Sequence, residues 1–216
     1  MRKHKEKRIV KIIMVSALLF ATVFASANSV GHLMTVEAAT ISVKGKYYQS
    51  DARKMKSQVN QFRTGDEAWY YTSDDSTDKT YVSGLGKLSY DYKLERIAMK
   101  RAAEISVEFS HTRPNGKDCF SLYPDGYGWK GENIAMGGGD WLATPEKALE
   151  AWKETNEPYS GQGHRRNMLN EHFTCIGIAC FEVDGVKYWV QEFGNPNGGM
   201  EKTKAVNGTR TVKIKK

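Results

Sequence analysis

Two apolar, strand-like runs late in the chain meet at a two-residue turn signal. Residues 173–183 and 186–193 are rich in β-branched and aromatic side chains, and Asp184-Gly185 separates them. An Asp-Gly pair between two such runs favours a tight hairpin, because both turn residues tolerate positive φ angles. A hairpin pairs its two strands antiparallel, so the chain is predicted to contain an antiparallel sheet.

Helix-like patterns come before this hairpin. The spacing of apolar residues predicts helices over 52–64, 89–109, 144–152 and 164–169. Ser89 is the predicted N-cap of the second helix, and Thr144-Pro145 supplies a cap and a first-turn proline for the third. The stretch 66–86 is polar and rich in turn residues, with a short strand at 69–72. Helices followed by an antiparallel sheet indicate an α+β domain.

The first 39 residues have the composition of an export signal. Basic residues precede an apolar run at 12–27, and this run is shorter than the roughly 20 apolar residues that a membrane-spanning helix needs. Cleavage is therefore favoured over an uncleaved signal anchor. Two small-x-small sites end at Ala27 and Ala39, and the later one suits a long signal of Gram-positive type. We expect a secreted, extracellular protein with no stable membrane span after cleavage.

Positive charge is concentrated at the two ends of the chain. Residues 40–199 hold 20 of the 32 basic residues and 22 of the 25 acidic ones. This nearly neutral part lacks the basic stripe of a nucleic-acid-binding domain, so no nucleic-acid partner is expected. Residues 40–47 are interpreted as a short N-terminal segment. Residues 199–216 are interpreted as a basic tail, either a solvated, disordered end, which is favoured, or a weak electrostatic tether to an anionic cell wall.

Three cysteines occur, Cys119, Cys175 and Cys180. None forms a C-x-x-C pair, so a zinc knuckle or a thioredoxin-like site is not indicated. An exported protein can hold a disulfide. Cys175 and Cys180 lie five residues apart in a predicted strand, on opposite faces and about 16 Å apart, which is too far to bond. If a bridge forms, Cys119 is one partner, and either of the other two can be the second.

Four short segments occur in the order found in bacterial CAP domains. They are FSHTRPNG (109–116), GENIA (131–135), GHRRNML (163–169) and YWVQEFG (188–194). On these segments residues 48–198 resemble the CAP superfamily, also called the SCP domain, which includes cysteine-rich secretory proteins, antigen 5 and plant pathogenesis-related proteins. The resemblance implies a three-layer α/β/α sandwich with a central antiparallel sheet.

The resemblance also implies a cleft lined by two histidines and two acidic residues, with divalent metal between the histidines in several members. The matching positions are His111, Glu132, His164 and, for the second acid, Thr155. Thr155 departs from the pattern. Glu154 and Glu157 are neighbouring acids that could substitute for it, although a shift of one residue turns a helical side chain by about 100°. The resemblance thus implies zinc or another divalent metal, bound weakly by His111 and His164, because two imidazoles leave a tetrahedral ion under-coordinated.

Three function classes follow from the resemblance. The favoured one is a binding module for a lipid-like or cell-wall ligand. The alternatives are an interaction or structural protein of the cell envelope, and a metal-assisted hydrolase with Glu132 as the base. The sequence shows no Ser/His/Asp or Cys/His nucleophile arrangement and no H-E-x-x-H motif, so binding is favoured over catalysis. Bacterial relatives often carry cysteines at the positions of Cys119 and Cys180, so the resemblance implies a bridge between them.

Overall fold

Helices and short strands alternate through the described part of the chain. A computed structural model describes residues 39–197, 200–205 and 207–216; apart from Ala39, the predicted export signal lies outside them. The helices are α1 (Gln49–Thr64), α2 (Tyr92–Ile105), α3 (Pro145–Lys153) and α4 (Gly163–Met168). The strands are β1 (Thr40–Tyr47), β2 (Trp69–Tyr71), β3 (Lys79–Tyr81), β4 (Ser89–Tyr90), β5 (Tyr127–Gly138), β6 (Cys175–Val183), β7 (Val186–Pro196) and β8 (Gly208–Lys215). Among these residues no helix has the length and apolar character needed to cross a membrane.

The central sheet is antiparallel along the strand order β5-β7-β6-β1-β8. The two residues of β4 add a short parallel pairing to β6, and β2 pairs with β3 in a separate ribbon. The predicted hairpin joins β6 to β7. Asp184 and Gly185 have φ angles of 50° and 77°, as a two-residue turn between twisted strands requires. The antiparallel sheet predicted from the hairpin is confirmed.

Helices cover both faces of this sheet. On β6, Ile176 and Ile178 pack in one cluster with residues of α1, α3 and α4, whereas Ala179 and Phe181 pack in a second cluster with α2. This alternation is the period of two that a strand imposes on its side chains. The α/β/α sandwich implied by the resemblance is therefore present.

Gly177 lets α2 approach the sheet closely. A Cβ atom built on Gly177 would lie 2.1 Å from the backbone nitrogen of Glu95 and 2.2 Å from the carbonyl carbon of Leu94. Any side chain at position 177 would push the helix backbone outward. The close contact fixes the height of α2 above the sheet, and α2 carries residues of the candidate site.

The second helix is shorter than its apolar pattern predicts. Ser89 is not its N-cap, because Ser89 belongs to β4 and its N–H donates to the carbonyl of Thr174. The cap is Asp91, whose side chain accepts from the N–H of Lys93 at 2.8 Å. The helix ends at Ile105, and Phe109 is exposed. Residues 106–111 therefore form a connection that carries His111 away from the helix.

The interpretation of the C-terminal residues as a disordered end is wrong for 208–215. These residues form β8, which pairs with β1 along its whole length. Val212 and Ile214 point toward the α2 side and pack in its cluster, while Lys213 between them is exposed. The segment 40–47, too, is a strand of the central sheet. Strand pairing between the two ends of the domain offsets the ordering entropy that neither segment could offset alone.

Candidate functional site

A polar cleft lies at the β5 edge of the sheet, with a volume of about 600 Å³. It brings together His111, Glu132 and His164, which come from three distant parts of the chain. Its lining is His111, Glu132, Asn133, Glu154, Ser160, Gly161, Gly163, His164, Arg166, Asn167 and Asn170. The lining includes both histidines and two carboxylates, and it contains no large aliphatic side chain.

The elements of the fold position each histidine separately. Glu132 and Asn133 are consecutive residues of β5, so their side chains point to opposite faces of the sheet. His111 reaches Glu132 from the connection after α2, and His164 lies in the first turn of α4. The side chain of Asn133 donates to the carbonyl of His164 at 3.2 Å, which ties α4 to the edge strand.

His111 is held by Glu132. The ring Nδ1 lies 2.7 Å from Glu132 Oε1, and the imidazole is 58 % exposed whereas the carboxylate is fully buried. A carboxylate beside Nδ1 selects the tautomer that carries a proton there. This tautomer leaves Nε2 with a lone pair.

His164 is held by Glu154 in the same way. Its Nδ1 hydrogen bonds to Glu154 Oε1, and Glu154 Oε2 also accepts from the backbone N–H groups of His164, at 2.9 Å, and Arg165, at 3.2 Å. One carboxylate thus fixes both the ring and the first turn of α4. The ring Nε2 of His164 is again left with a lone pair.

Glu154, and not Thr155 at the matching position, is the acid that lines the cleft beside His164. Thr155 is exposed and does not line the cleft. Helical spacing does not apply at this point because α3 ends at Lys153, and Glu154 has a left-handed backbone with φ 46° and ψ 41°. That conformation, rare outside glycine, turns the Glu154 side chain toward His164.

A buried arginine neutralises the acids beneath His111. Arg101 of α2 donates from Nε to Glu132 Oε2 at 2.7 Å and from Nη1 to Glu104 Oε2 at 3.0 Å. Burial opposes the charge of Glu132, but the hydrogen bonds from His111 and Arg101 outweigh it and lower the pKa of the carboxyl. Glu132 is therefore an anion that is already satisfied by two donors.

A second carboxyl lies behind Glu132, on β7. Glu192 stands directly opposite Glu132 in the sheet and is fully buried. Tyr123 donates to its Oε2 at 2.9 Å, while Oε1 has no hydrogen-bond partner of normal geometry among the described residues. Complete burial, and then the charge of Glu132, raise the pKa of Glu192 well above its ordinary range. Glu192 therefore keeps its proton to higher pH than an ordinary glutamate does, and Glu132 holds the negative charge of this pair more readily.

One group of side chains among the described residues brings three potential metal ligands together in this region. His111, Cys119 and Glu132 bring ligand atoms within 4.8 Å of one another. Burial, followed by the charge of Glu132, raises the pKa of the Cys119 thiol, so it stays protonated, and a thiol is a poor ligand compared with a thiolate. Arg101 also donates hydrogen bonds to both oxygens of Glu132, which makes this carboxylate less available as a metal ligand. His111 and His164 line the same cleft, and their Nε2 atoms have no hydrogen-bond partner among the described residues.

The structure does not contain the implied Cys119–Cys180 bridge. All three cysteines are free and buried. Cys180 packs among residues of α1 and α3, whereas Cys119 lies beside Glu132 and Glu192 on the α2 face. The sheet separates the two sulfur atoms, so they cannot approach to bonding distance without rearranging the core.

Sequence reasoning missed the residues that support the histidines. Arg101 and Glu192 were not among the expected site residues, and Glu154 was named only as a neighbouring acid that could substitute at the Thr155 position. For Arg101 a signal was present, since it is a charged residue at helical spacing from Ile97, Ala98 and Ile105, on the apolar face of α2. A charge on such a face indicates a buried ion pair.

Most of the described chain matches a known protein family. Residues 56–193 match the CAP family model, described as the cysteine-rich secretory protein family. Uncharacterized protein YkwD of Bacillus subtilis (strain 168) is 31% identical over 115 residues, which is 51% of this chain and 40% of that protein. The aligned part therefore spans less than half the length of this relative.

The solved structures that match this chain are distant from it in sequence. An outer surface protein from Borrelia burgdorferi is 19% identical, with a TM-score of 0.51 over 70% of this chain and 98% of that one. Venom allergen-like protein 4 of Schistosoma mansoni is 15% identical, with a TM-score of 0.47 over 72% and 96% of the two chains. At 19% identity, the likeness to the Borrelia burgdorferi protein concerns the fold alone.

Proposed function

Because this chain belongs to the cysteine-rich secretory protein (CAP) family, we propose that it is a secreted binding module whose cleft holds a polar ligand of the cell envelope. A divalent metal ion, such as zinc, binds weakly in the same cleft. The observation that carries the proposal is the matched anchoring of the two histidines. Glu132 holds Nδ1 of His111, and Glu154 holds Nδ1 of His164.

This arrangement is the one that metal-binding histidines ordinarily have. A carboxylate on the far ring nitrogen orients the imidazole and makes it more basic toward a metal or a hydrogen-bond donor. Two such rings in one cleft supply two ligands, and water or the bound ligand supplies the others. An incomplete protein ligand set favours an exchangeable ion over a structural one.

The lining of the cleft favours a polar ligand over a lipid. Asn133, Asn167 and Asn170 add amide groups around the histidines, and Arg166 adds a cation. A cleft that binds an alkyl chain would be lined mainly by apolar side chains. Carbohydrate or peptide groups of a cell-wall polymer have the hydroxyl and amide groups that this lining can bind.

Glu132 is assigned a supporting role here and no role as a general base. Both of its oxygens accept hydrogen bonds from Arg101, and His111 occupies one of them as well. A carboxylate is a weak base when its pKa is lowered and both of its oxygens already accept hydrogen bonds. For Glu132 to act as the base of a hydrolase, its hydrogen bonds with Arg101 and His111 would first have to break.

The metal proposal predicts zinc binding that depends on both histidines. For residues 40–216, we expect the double variant His111→Ala/His164→Ala to bind zinc at least tenfold more weakly than the wild type by titration calorimetry. Wild-type affinity should fall between about pH 7 and 5, where imidazoles ordinarily take up a proton and lose the lone pair that binds metal.

His172 supplies the matched control for this titration. It stacks on Trp129 with ring centroids 4.0 Å apart and does not line the cleft. His172→Ala should therefore leave the zinc affinity unchanged. The same three proteins are then tested for binding to purified cell-wall fragments. Retained zinc affinity in the double variant contradicts the metal site, and retained wall binding contradicts the cleft as the ligand site. Release of soluble products from the fragments would indicate the hydrolase.

A second prediction separates Glu154 from its neighbour. Glu154→Gln weakens the anchor on His164 and should lower zinc affinity by about 10–100-fold, the usual effect of removing a carboxylate behind a ligating histidine. Thr155→Ala, one residue away and exposed, should have no effect. Calorimetric titration of both variants checks this. If Glu154→Gln and Thr155→Ala bind zinc with equal affinity, Glu154 does not orient His164 for metal binding.

A further inference from the structure

The first and last strands of the domain form a ribbon at the sheet edge opposite the cleft. The cleft lies at β5, whereas β8 is at the other end of the strand order. In β1, Val43 and Tyr47 point toward the α2 side and pack there. The alternate residues of both strands point to the outer face of the ribbon, where their side chains are exposed.

Each cross-strand pair on this outer face joins one lysine to one hydroxyl side chain. The four pairs are Thr40 with Lys215, Ser42 with Lys213, Lys44 with Thr211, and Lys46 with Thr209. All eight side chains are exposed. We call Lys44, Lys46, Lys213 and Lys215 the lysine row.

The register places these lysines in a diagonal line across the ribbon. Lysines two residues apart on one strand are separated by about 6.8 Å, and the step from Lys213 to Lys44 is a diagonal cross-strand step of about 7–8 Å. One cation therefore occurs at about every 7 Å along the row, with a hydroxyl group beside it.

The row is not neutralised within the described residues. None of its lysines forms an ion pair with a carboxylate there. Glu182 of β6 is paired with Lys46 across the sheet but makes no ion pair with it. Lys46 lies instead over the ring of Tyr48. Like charges at these separations repel, so the row disfavours the folded state unless an anion is bound.

Protection of a sheet edge does not explain the whole row. Lysines on an edge strand discourage pairing with other chains, and this accounts for Lys213 and Lys215 on β8. It also accounts for Lys44, because β1 pairs with β6 only at Lys46 and Tyr47. Lys46 lies where β1 is paired on both sides, so the row continues past the open edges onto a position that needs no protection.

We propose that the lysine row binds a linear polyanion that carries a phosphate group at each repeat. Lysine binds phosphate as a point charge, and the adjacent threonine and serine hydroxyls donate hydrogen bonds to the remaining oxygens. A small anion would contact only part of the row, whereas an extended chain contacts all four lysines. This site is separate from the cleft and does not depend on the function proposed for it.

The test measures binding of residues 40–216 to a linear inorganic polyphosphate over a series of salt concentrations. The variant Lys44→Thr/Lys46→Thr/Lys213→Thr/Lys215→Thr is expected to bind at least tenfold more weakly. The slope of log Kd against log salt concentration should be smaller by about 3 in this variant. This is the change expected when four phosphate contacts on a single-stranded chain are lost. Threonine suits a strand, and thermal unfolding of both proteins checks the fold. If the fourfold variant unfolds, Lys44→Thr/Lys213→Thr is used, with half the change in slope.

A control with the same net charge decides between a site and general attraction. Lys54, Lys87, Lys117 and Lys147 are exposed and lie elsewhere on the surface, and changing these four to threonine should alter affinity less than twofold. An equal loss in both variants would overturn the proposal, because overall charge would then explain the binding. Binding to vesicles of anionic phospholipid without binding to polyphosphate would also overturn it.

Discussion

Replacing Arg101 with methionine is expected to lower the free energy of unfolding by about 3–5 kcal/mol at neutral pH, because breaking a buried ion pair leaves its partner charges uncompensated. The Arg101 side chain is fully buried and joins Glu132 to Glu104. It also donates to the carbonyl of Ser110 at 2.6 Å, which orders the connection that carries His111. Methionine retains much of the volume but none of the donors.

Urea unfolding at pH 7 measures this loss, and a second substitution tests its cause. In Arg101→Met/Glu132→Gln the stranded carboxylate is absent, so the double variant should be less destabilised than the sum of the single ones by at least about 1 kcal/mol. The loss should also shrink below about pH 4, where the acids of the unfolded chain are protonated. If the destabilisation of the double variant equals the sum of those of the two single variants, lost packing and not stranded charge is the cause.

Replacing Glu192 with glutamine is expected to stabilise the protein, and the gain should grow with pH. The raised pKa of Glu192 keeps a proton on the folded protein that the unfolded chain releases above its own pKa, near 4.3. The contribution of Glu192 to the free energy of unfolding is therefore fully present below the unfolded pKa and is lost as the pH rises through the folded pKa. Glutamine carries no such proton. Between the unfolded and the folded pKa of Glu192, the difference in the free energy of unfolding should rise by about 1.4 kcal/mol per pH unit.

Unfolding of wild type and Glu192→Gln at pH 4, 5.5 and 7 gives this dependence directly. Glu171 is exposed, so Glu171→Gln is a matched substitution for which no pH-dependent gain is expected. Glutamine at 192 can still accept from Tyr123 and can donate toward Glu132. If the gain is the same at pH 4 and pH 7, Glu192 is ionised in the folded protein and the assignment of the charge to Glu132 fails.

Local patterns in the sequence were sufficient for the elements whose contacts are close along the chain. The third helix begins at the predicted Thr144-Pro145 pair, with the Thr144 hydroxyl accepting from the N–H of Lys147. The hairpin turns at Asp184-Gly185 as predicted. Caps and tight turns depend on neighbouring residues, so their signals can be read without knowledge of the fold.

Elements that depend on distant partners were predicted less well. The strand β5, which carries Glu132, was not predicted, and neither were the strands β1 and β8 at the two ends of the domain. β8 alternates apolar and charged residues in only a short run. Its stability comes from pairing with a segment more than 160 residues earlier, and strand preference depends strongly on such tertiary context.

The sequence by itself determined the fold class, the hairpin and, through four ordered segments, the family and the residues His111, Glu132 and His164. Tertiary structure alone decided which side chains support them. Glu154 reaches His164 because α3 ends one residue earlier in a left-handed turn, and Cys119 is kept from Cys180 because the sheet lies between them. Helix ends, strand register and sheet faces are settled by packing between distant segments, and local sequence carries little information about such contacts.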